Sequence, residues 1–427
     1  MLQTTKAAPI RSFRLNCLPH QVEDVENLLR LQGFEFFSDD FFNPARRLHY
    51  EPQPLGSSLA AFFGYIYIQD RASMLPPVAL NPPPGAAVLD MCASPGSKTG
   101  QLAWLVGEKG LVLANEPSSS RLATLRRNLS IQNLIQVAST CNSGENLPLP
   151  DMSWSYIQLD PPCSGWGTFE KNPKVLELWR GEKTTRLVAL QRCLLKEAAR
   201  MLKPGGCIVY STCTTNVQEN EEQIIFAQEN LGLTLEELPY LPGWHLELPA
   251  LGMSGVWRLN VQPQESQGFF IAKLSKPLAD APDANQLKQV LQLKYIPIQC
   301  DMLLEAGLDP GSLPGQVGAF NSSVHFLPHT ALTKLPPSLR WQGLYCGKSG
   351  KNGEVFLNPR LRIGLSGPSI RLEGQTGCEY LMKLLQGQSL VCNADIQSTA
   401  KTAGVYWNNL SLGHVNLKNG RVLWSER

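Results

Sequence analysis

Between Ala86 and Lys273, short apolar runs alternate with stretches of helical periodicity. Few folds accept that alternation, because each apolar run must be covered on both faces and each helix must return the chain to the same sheet edge. It predicts an α/β domain with a doubly wound, mostly parallel sheet. Strands are predicted at Ala87 to Met91, Gly110 to Asn115, Gln136 to Thr140, Tyr156 to Asp160, Gly206 to Ser211 and Gly268 to Leu274, with Lys203 to Gly206 as a turn before the fifth. Helices are predicted at Lys98 to Leu105, Ser119 to Ser130, Thr184 to Met201 and Asn220 to Glu229. Right-handed crossovers then gather the strand C-termini along one edge, where ligands bind in such sheets.

The flanks read differently. From His20 to Leu31 the residues Val22, Val25, Leu28 and Leu29 share one helical face, and Gly33 is placed to end the helix. Phe34, Phe36, Phe37, Phe41 and Phe42 follow, then Arg46 and Arg47. Such a mixture can stack nucleic-acid bases, but phenylalanine runs are more often core, and core packing is expected. Gly64 to Asp70 reads as a strand, Ala72 to Leu75 as a short helix stopped by Pro76 and Pro77, and Asn81 to Gly85 as a rigid turn. Beyond Ser275 the composition is that of a linker, and short apolar runs such as Val405-Tyr406-Trp407 then suggest a small β-rich domain or pair. The expected organisation is an α+β unit over 1–84, the sheet domain over 85–275, a linker over 276–289 and a β-rich region over 290–427.

Charge is uneven: residues 1–275 hold 23 Lys and Arg against 26 Asp and Glu, and residues 276–427 hold 15 against 10. The C-terminal region is therefore the candidate for contact with a polyanion such as RNA. Eleven cysteines form no C-x-x-C pair and are odd in number, which points to a reducing compartment rather than a disulfide framework. Cys17, Cys141, Cys193, Cys207, Cys300, Cys346, Cys378 and Cys392 are expected to be small core residues. The histidines show no metal spacing, and no metal is expected. No apolar run reaches the roughly 18 residues of a membrane span, and the N-terminus lacks a signal pattern, so a cytoplasmic, monomeric protein is expected.

Two loops carry chemistry. The strand Val88 to Met91 enters Cys92-Ala93-Ser94-Pro95-Gly96-Ser97-Lys98, whose small residues let backbone amides approach a ligand at a helix N-terminus. A triphosphate loop is excluded, since Cys92 replaces its first glycine and Ser97 separates Gly96 from Lys98; a G-x-G-x-x-G is absent. An adenosine cofactor without such phosphates remains. Glu116, just after Leu111 to Asn115, is then the acid for its ribose hydroxyls. The second loop, Asp160-Pro161-Pro162-Cys163, ends one buried strand, and Cys213 ends another. An acid and two thiols delivered to one edge can converge on one substrate.

These motifs, with Tyr67 to Leu75, Tyr210-Ser211-Thr212-Cys213 and Glu219-Asn220-Glu221, together resemble the Nol1/Nop2/Sun family of RNA (cytosine-5) methyltransferases. Within it the chain looks most like the bacterial small-subunit ribosomal RNA methyltransferase F group. The match covers roughly residues 60 to 275; more weakly, Arg340 to Gly347 is similar to part of that group's RNA-binding tail, which makes 290–427 a PUA-like targeting module. The resemblance implies a Rossmann-like methyltransferase domain and S-adenosyl-L-methionine as cofactor, held by Cys92, Ala93, Ser94, Pro95, Gly96, Ser97, Lys98, Glu116, Ser143 and Asp160. It implies Cys213 as the nucleophile that adds to cytosine C6, Cys163 as the group that assists release, and Asp160 as the partner of the cytosine N3 and amine edge. Lys98 is expected to keep the site electropositive and favour a thiolate. Relatives commonly carry an acid after the third strand, where this chain has Cys141-Asn142-Ser143, so weaker hydrogen bonds to adenine are expected. Ribosomal RNA is the expected partner; transfer RNA, or a ribosome-assembly role without strong activity, are the alternatives.

Overall fold

Alternate residues of each apolar run face opposite ways, and the computed structural model clothes both sides. It describes residues 11–168, 175, 182–260, 266–278, 295–350, 352–391 and 401–425. Leu89, Leu113, Ile157 and Ile208 pack on one side against Leu194, Leu195 and Ala198 of the helix Glu182–Met201 and Ile224 of Glu221–Leu231. Val88, Val112 and Val209 pack on the other against Leu102 of Ser97–Val106 and Leu122 and Leu125 of Ser119–Gln132.

In the sheet, Ala87–Asp90 pairs in parallel with Leu111–Asn115 on one side and with Trp154–Leu159 on the other. Val137–Thr140 extends the first direction and Leu202–Thr212 the second. The strand order thus reverses between Ala87–Asp90 and Trp154–Leu159, which opens a crevice between their C-terminal ends. The doubly wound α/β expectation holds.

Antiparallel strands complete the sheet. Phe269–Ser275 pairs with the Leu202–Thr212 strand, and Thr234–Glu236 and Trp257–Leu259 pair with Phe269–Ser275. At the opposite edge Trp341–Gln342, from the C-terminal region, pairs with Val137–Thr140, and Thr140 Oγ1 donates to Arg340 O at 2.8 Å. The fifth strand also begins earlier than expected. Lys203-Pro204-Gly205-Gly206 is part of it rather than a turn before it, because Gly205 N donates to Lys276 O and Lys276 N to Gly206 O, pinning this irregular stretch to the neighbouring chain.

Four strands, Ser12–Leu15, Glu35–Ser38, Ala45–Tyr50 and Ile66–Ile68, form the N-terminal sheet. The helix Val22–Arg30 buries Val25, Leu28 and Leu29 against it. Phe34 and Phe42 are buried and Phe36 meets Phe13 edge-on, so the aromatic run is mainly core; Phe37 alone of the five is well exposed. Pro76 and Pro77 do not stop a helix but begin one, Leu75–Leu80, whose first-turn amides have no intrahelical acceptors to lose.

The C-terminal region forms two five-stranded sheets. The second shares a core with the N-terminal unit, where Trp407, Leu410 and Leu412 join Phe13, Leu28 and Phe63. Tyr65 crosses that junction by donating to Ser411 O at 2.7 Å, with the Arg362 guanidinium 3.9 Å above its ring. Most of the expected linker, and Cys392, lie outside the described residues. Cys17, Cys207, Cys346 and Cys378 are buried as expected, but Cys141, Cys193 and Cys300 are exposed, since each sits at a strand end or on a solvent-facing part of a helix. Among the described residues no helix is long and apolar enough to cross a membrane.

Gly64 joins the N-terminal unit to the sheet domain through a close backbone approach. Its φ is +69°, and a Cβ there would stand 2.0 Å from Ile131 O. Gly64→Ala is expected to cost about 3 kcal/mol of stability, read as a lowered urea midpoint with an unchanged slope.

Candidate active site

The crevice at the strand reversal is walled by the loop after Asp90 and the loop after Leu159. Gly96, at φ 103°, turns the first loop into the helix Ser97–Val106, whose N-terminus has no side-chain cap. The first-turn amides are thus left for a ligand. Ala93 N donates to Asn115 O, Gly96 N to Ala93 O, and Asn128 Nδ2 to Pro95 O, which fixes the loop from three sides. Ser94 exchanges bonds with Arg121: its Oγ donates to Arg121 O and its carbonyl accepts from Arg121 Nη2, both at 3.1 Å. Cys92 is half-buried, and burial pushes its thiol up, away from a reactive role.

Lys98, in the first turn of this helix, is buried and reaches across the crevice. Its Nζ lies 2.7 Å from Asp160 Oδ2 and 3.3 Å from Ser73 Oγ. Burial pulls the ammonium down, but Asp160 outweighs it and leaves the net shift upward, so Lys98 is a fixed cation. Ser211 Oγ donates to Asp160 Oδ1 at 2.9 Å, tying the acid to the strand that delivers Cys213. Cys163 and Cys213 meet with their sulfurs 3.4 Å apart. Their thiols are driven in opposite directions. Cys213 is lowered, first by the hydrogen bond from Cys163 and also by Lys98, against burial and Asp160; Cys163 is raised well above the ordinary thiol value, first by that same bond and then by burial. The pair is thus polarised, with Cys163 the weaker acid of the two and Cys213 the stronger.

Gly167 brings the Cys163 loop this close. Its N–H donates to Cys213 O at 2.9 Å, and a Cβ would stand 2.4 Å from Gly268 O. Beneath the thiols Glu219, wholly buried, accepts from Ser164 N, Ser164 Oγ and Gln191 Nε2.

The far side of the first loop is arranged around Asn115 and Glu116. Glu116 is buried at its strand end, accepts from Ser118 N at 2.9 Å and lies 3.6 Å from the Arg121 guanidinium. Asn115 bonds Asn142 twice through its side chain. Asn142 in turn spends its amide on Thr140 Oγ1 at 2.6 Å, whereas Ser143 is exposed and donates to Glu145 Oε2 at 3.2 Å. Glu145 thus puts a carboxylate beside Ser143, two residues further along the chain. The structure gathers Cys163, Cys213, Asp160 and Lys98 into one cluster and sets Glu116 and Ser143 beyond the loop from it. Sequence reasoning missed Gln191 and Glu145; Ser73, Ser211 and Glu219 were visible only as parts of motifs.

Residues 77–275 match the family described as 16S rRNA methyltransferase RsmB/F. A solved structure titled a methyltransferase homolog protein from Pyrococcus horikoshii is 34% identical, with TM-score 0.55 over 63% of this chain and 87% of that one. The chain belongs to the RsmB/F methyltransferase family. The ribosomal RNA small subunit methyltransferase F of Salmonella heidelberg (strain SL476) is 38% identical over 275 residues, 62% of this chain and 57% of that one. The chain thus spans little more than half the length of this curated relative. The structure of NSun6 from Pyrococcus horikoshii with SFG, at 22% identity and TM-score 0.56, covering 64% of this chain and 91% of that one, shares the fold.

For this RsmB/F family member, removing the hydrogen bond from Cys163 should raise the Cys213 pKa. Cys163→Ala is therefore expected to shift the pH profile of Cys213 alkylation by iodoacetamide upward, read by peptide mass spectrometry. In the wild type Cys213 should label ahead of Cys163 near neutral pH.

Proposed function

We propose that this protein methylates C5 of a cytosine in small-subunit ribosomal RNA, in the cytoplasm, with S-adenosyl-L-methionine as methyl donor. The observation that carries the reading is the polarised thiol pair, 3.4 Å apart, beside the Lys98–Asp160 ion pair at the strand reversal. The residues present fit the cofactor: the uncapped amides after Gly96 suit its carboxylate, and Glu116, with Ser143 and Glu145 further along, suits hydroxyl and amine groups of an adenosine. When bound, it supplies an electrophilic methyl group.

Cytosine C5 is too weak a nucleophile to take that methyl unaided. Addition of the Cys213 thiolate to C6 breaks the C5–C6 double bond and moves an electron pair toward C5. Asp160 accepts from the exocyclic amine, while Lys98 and Ser211 occupy one lone pair on each of its oxygens and hold the carboxylate in place. Once methylated, C5 gives its proton to water, the freed electron pair re-forms the C5–C6 double bond, and the C6–S bond breaks so that Cys213 departs as a thiolate. Cys163, already protonated and in contact, donates a hydrogen bond to that departing sulfur and so lowers the barrier to release. A cytosine must be unstacked to reach the crevice, so a loop or single-stranded segment of the RNA suits it.

Bisulfite sequencing of ribosomal and transfer RNA, after incubation with the protein and cofactor, tests the reading. A single protected cytosine in small-subunit RNA is expected, and protection confined to transfer RNA would overturn the substrate assignment. Cys213→Ala should abolish methylation. Cys163→Ala should instead leave RNA covalently attached on a denaturing gel, and attachment that depends on Cys163 rather than Cys213 would reverse the two roles.

A further inference from the structure

Glu219 is a carboxylate with no solvent exposure, and no ion pair to it is found among the described residues. Its charge is met only by hydrogen bonds: Ser164 N at 2.9 Å, Ser164 Oγ at 2.6 Å, Gln191 Nε2 at 3.0 Å and Asn216 Nδ2 at 3.3 Å. A side chain needed only to fill this space would be cheaper as an amide, since a buried charge is costly even when fully bonded. The partners say what the charge achieves.

Ser164 follows Cys163, and Thr214 follows Cys213. Ser164 Oγ bonds both Glu219 and Thr214 Oγ1, the latter at 2.8 Å, so one carboxylate orders the residues next to both thiols. Gln191 extends the grip by donating to Pro162 O at 3.0 Å, on the other side of Cys163. From the Cys213 strand, Tyr210 donates its hydroxyl to Glu219 O at 2.7 Å, and Asn220 links Thr212 Oγ1 to Thr214 O. Cys163 is thus held before and after by groups bonded to Glu219. Glu219 also adds to the fields that keep the Cys163 thiol protonated.

The geometry points to Glu219 as a positioning residue that holds the Cys163 thiol, protonated, against the Cys213 sulfur and thereby sets the rate of product release rather than of attack. The inference rests on the proposed cytosine chemistry. An amide at this position has one acceptor oxygen, and it turns an NH2 group toward the donors of Ser164 or Gln191. The Cys163 loop then shifts, while Asp160, Lys98 and Cys213 keep their own bonds. Attack should survive and release should slow.

The test uses the full-length chain, S-adenosyl-L-methionine and labelled unmethylated small-subunit ribosomal RNA. Glu219→Gln is expected to lower kcat by on the order of 100-fold with little change in KM, and to accumulate a covalent protein–RNA adduct as Cys163→Ala does. The double variant should be no slower than Cys163→Ala alone, because both changes act on one step. Glu219→Asp, which keeps the charge, should recover part of the release rate. Wild-type turnover by Glu219→Gln would overturn the inference; so would a slow variant that forms no adduct and whose loss multiplies with that of Cys163→Ala. If Glu219→Gln does not fold, Ser164→Ala decides: it removes the Oγ link between Glu219 and Thr214, and it should accumulate adduct, whereas release at the wild-type rate would overturn the inference. Failure of the underlying chemistry looks different, since then neither wild type nor Cys163→Ala yields methylated RNA or adduct.

Discussion

The site depends on the ion pair between Lys98 and Asp160, which crosses the strand reversal at 2.7 Å. A lysine this buried is costly to keep charged unless an anion meets it, and Asp160, the first residue after its strand, is placed to do so by the parallel register of Leu89 with Ile157 and Asp90 with Gln158. Register therefore fixes charge. From the pair, order spreads in two directions: Ser211 carries it to the Cys213 strand, and Ser73 to the N-terminal unit. The cation also lies close enough to Cys213 to lower its thiol, so one lysine steadies the acid and polarises the cysteine pair.

A thiol pair in an ordinary apolar core would have both protons. Here asymmetry comes from surroundings. Cys213 has Lys98 on its side, while Cys163 is held by a loop whose anchor is the anion Glu219. The two cysteines are chemically identical, and the groups placed around them drive their thiols apart. Asp160 is bonded on both oxygens, by Lys98 and by Ser211, which fixes its carboxylate in one orientation.

Much of this was legible in the sequence, because strands covered on both faces leave long apolar runs and the loops between them carry unusual residues. Ala87 to Met91, Gln136 to Thr140 and the four helices were placed to within a few residues of their observed ends. Local pattern failed where the cause was distant. Pro76 and Pro77 look like a stop, yet the first turn of a helix tolerates them. Lys203 to Gly206 looks like a turn, but Lys276 draws it into the strand. Trp341–Gln342 is too short for any periodicity to reveal, and only its pairing with Val137–Thr140 makes it a strand. In the site, Asp160, Cys163 and Cys213 stand out as reactive types at strand ends. Glu219 does not, since nothing in a local stretch tells a buried carboxylate from a solvated one.

The edge pairing bears on how the C-terminal region relates to the chemistry. A basic tail invites the picture of a detachable targeting module. The structure ties it to the sheet domain instead: Trp341–Gln342 covers an edge that would otherwise present unpaired amides, and Arg340 O takes the Thr140 hydroxyl one residue before Cys141. Thr140 is also the partner of the Asn142 amide, so the C-terminal region reaches the Asn142 end of the crevice through two hydrogen bonds. Its second sheet meanwhile shares a core with the N-terminal unit, which supplies Ser73 to Lys98. Both ends of the chain thus bond to elements that wall the crevice, and the C-terminal sheets help to shape the site beside them.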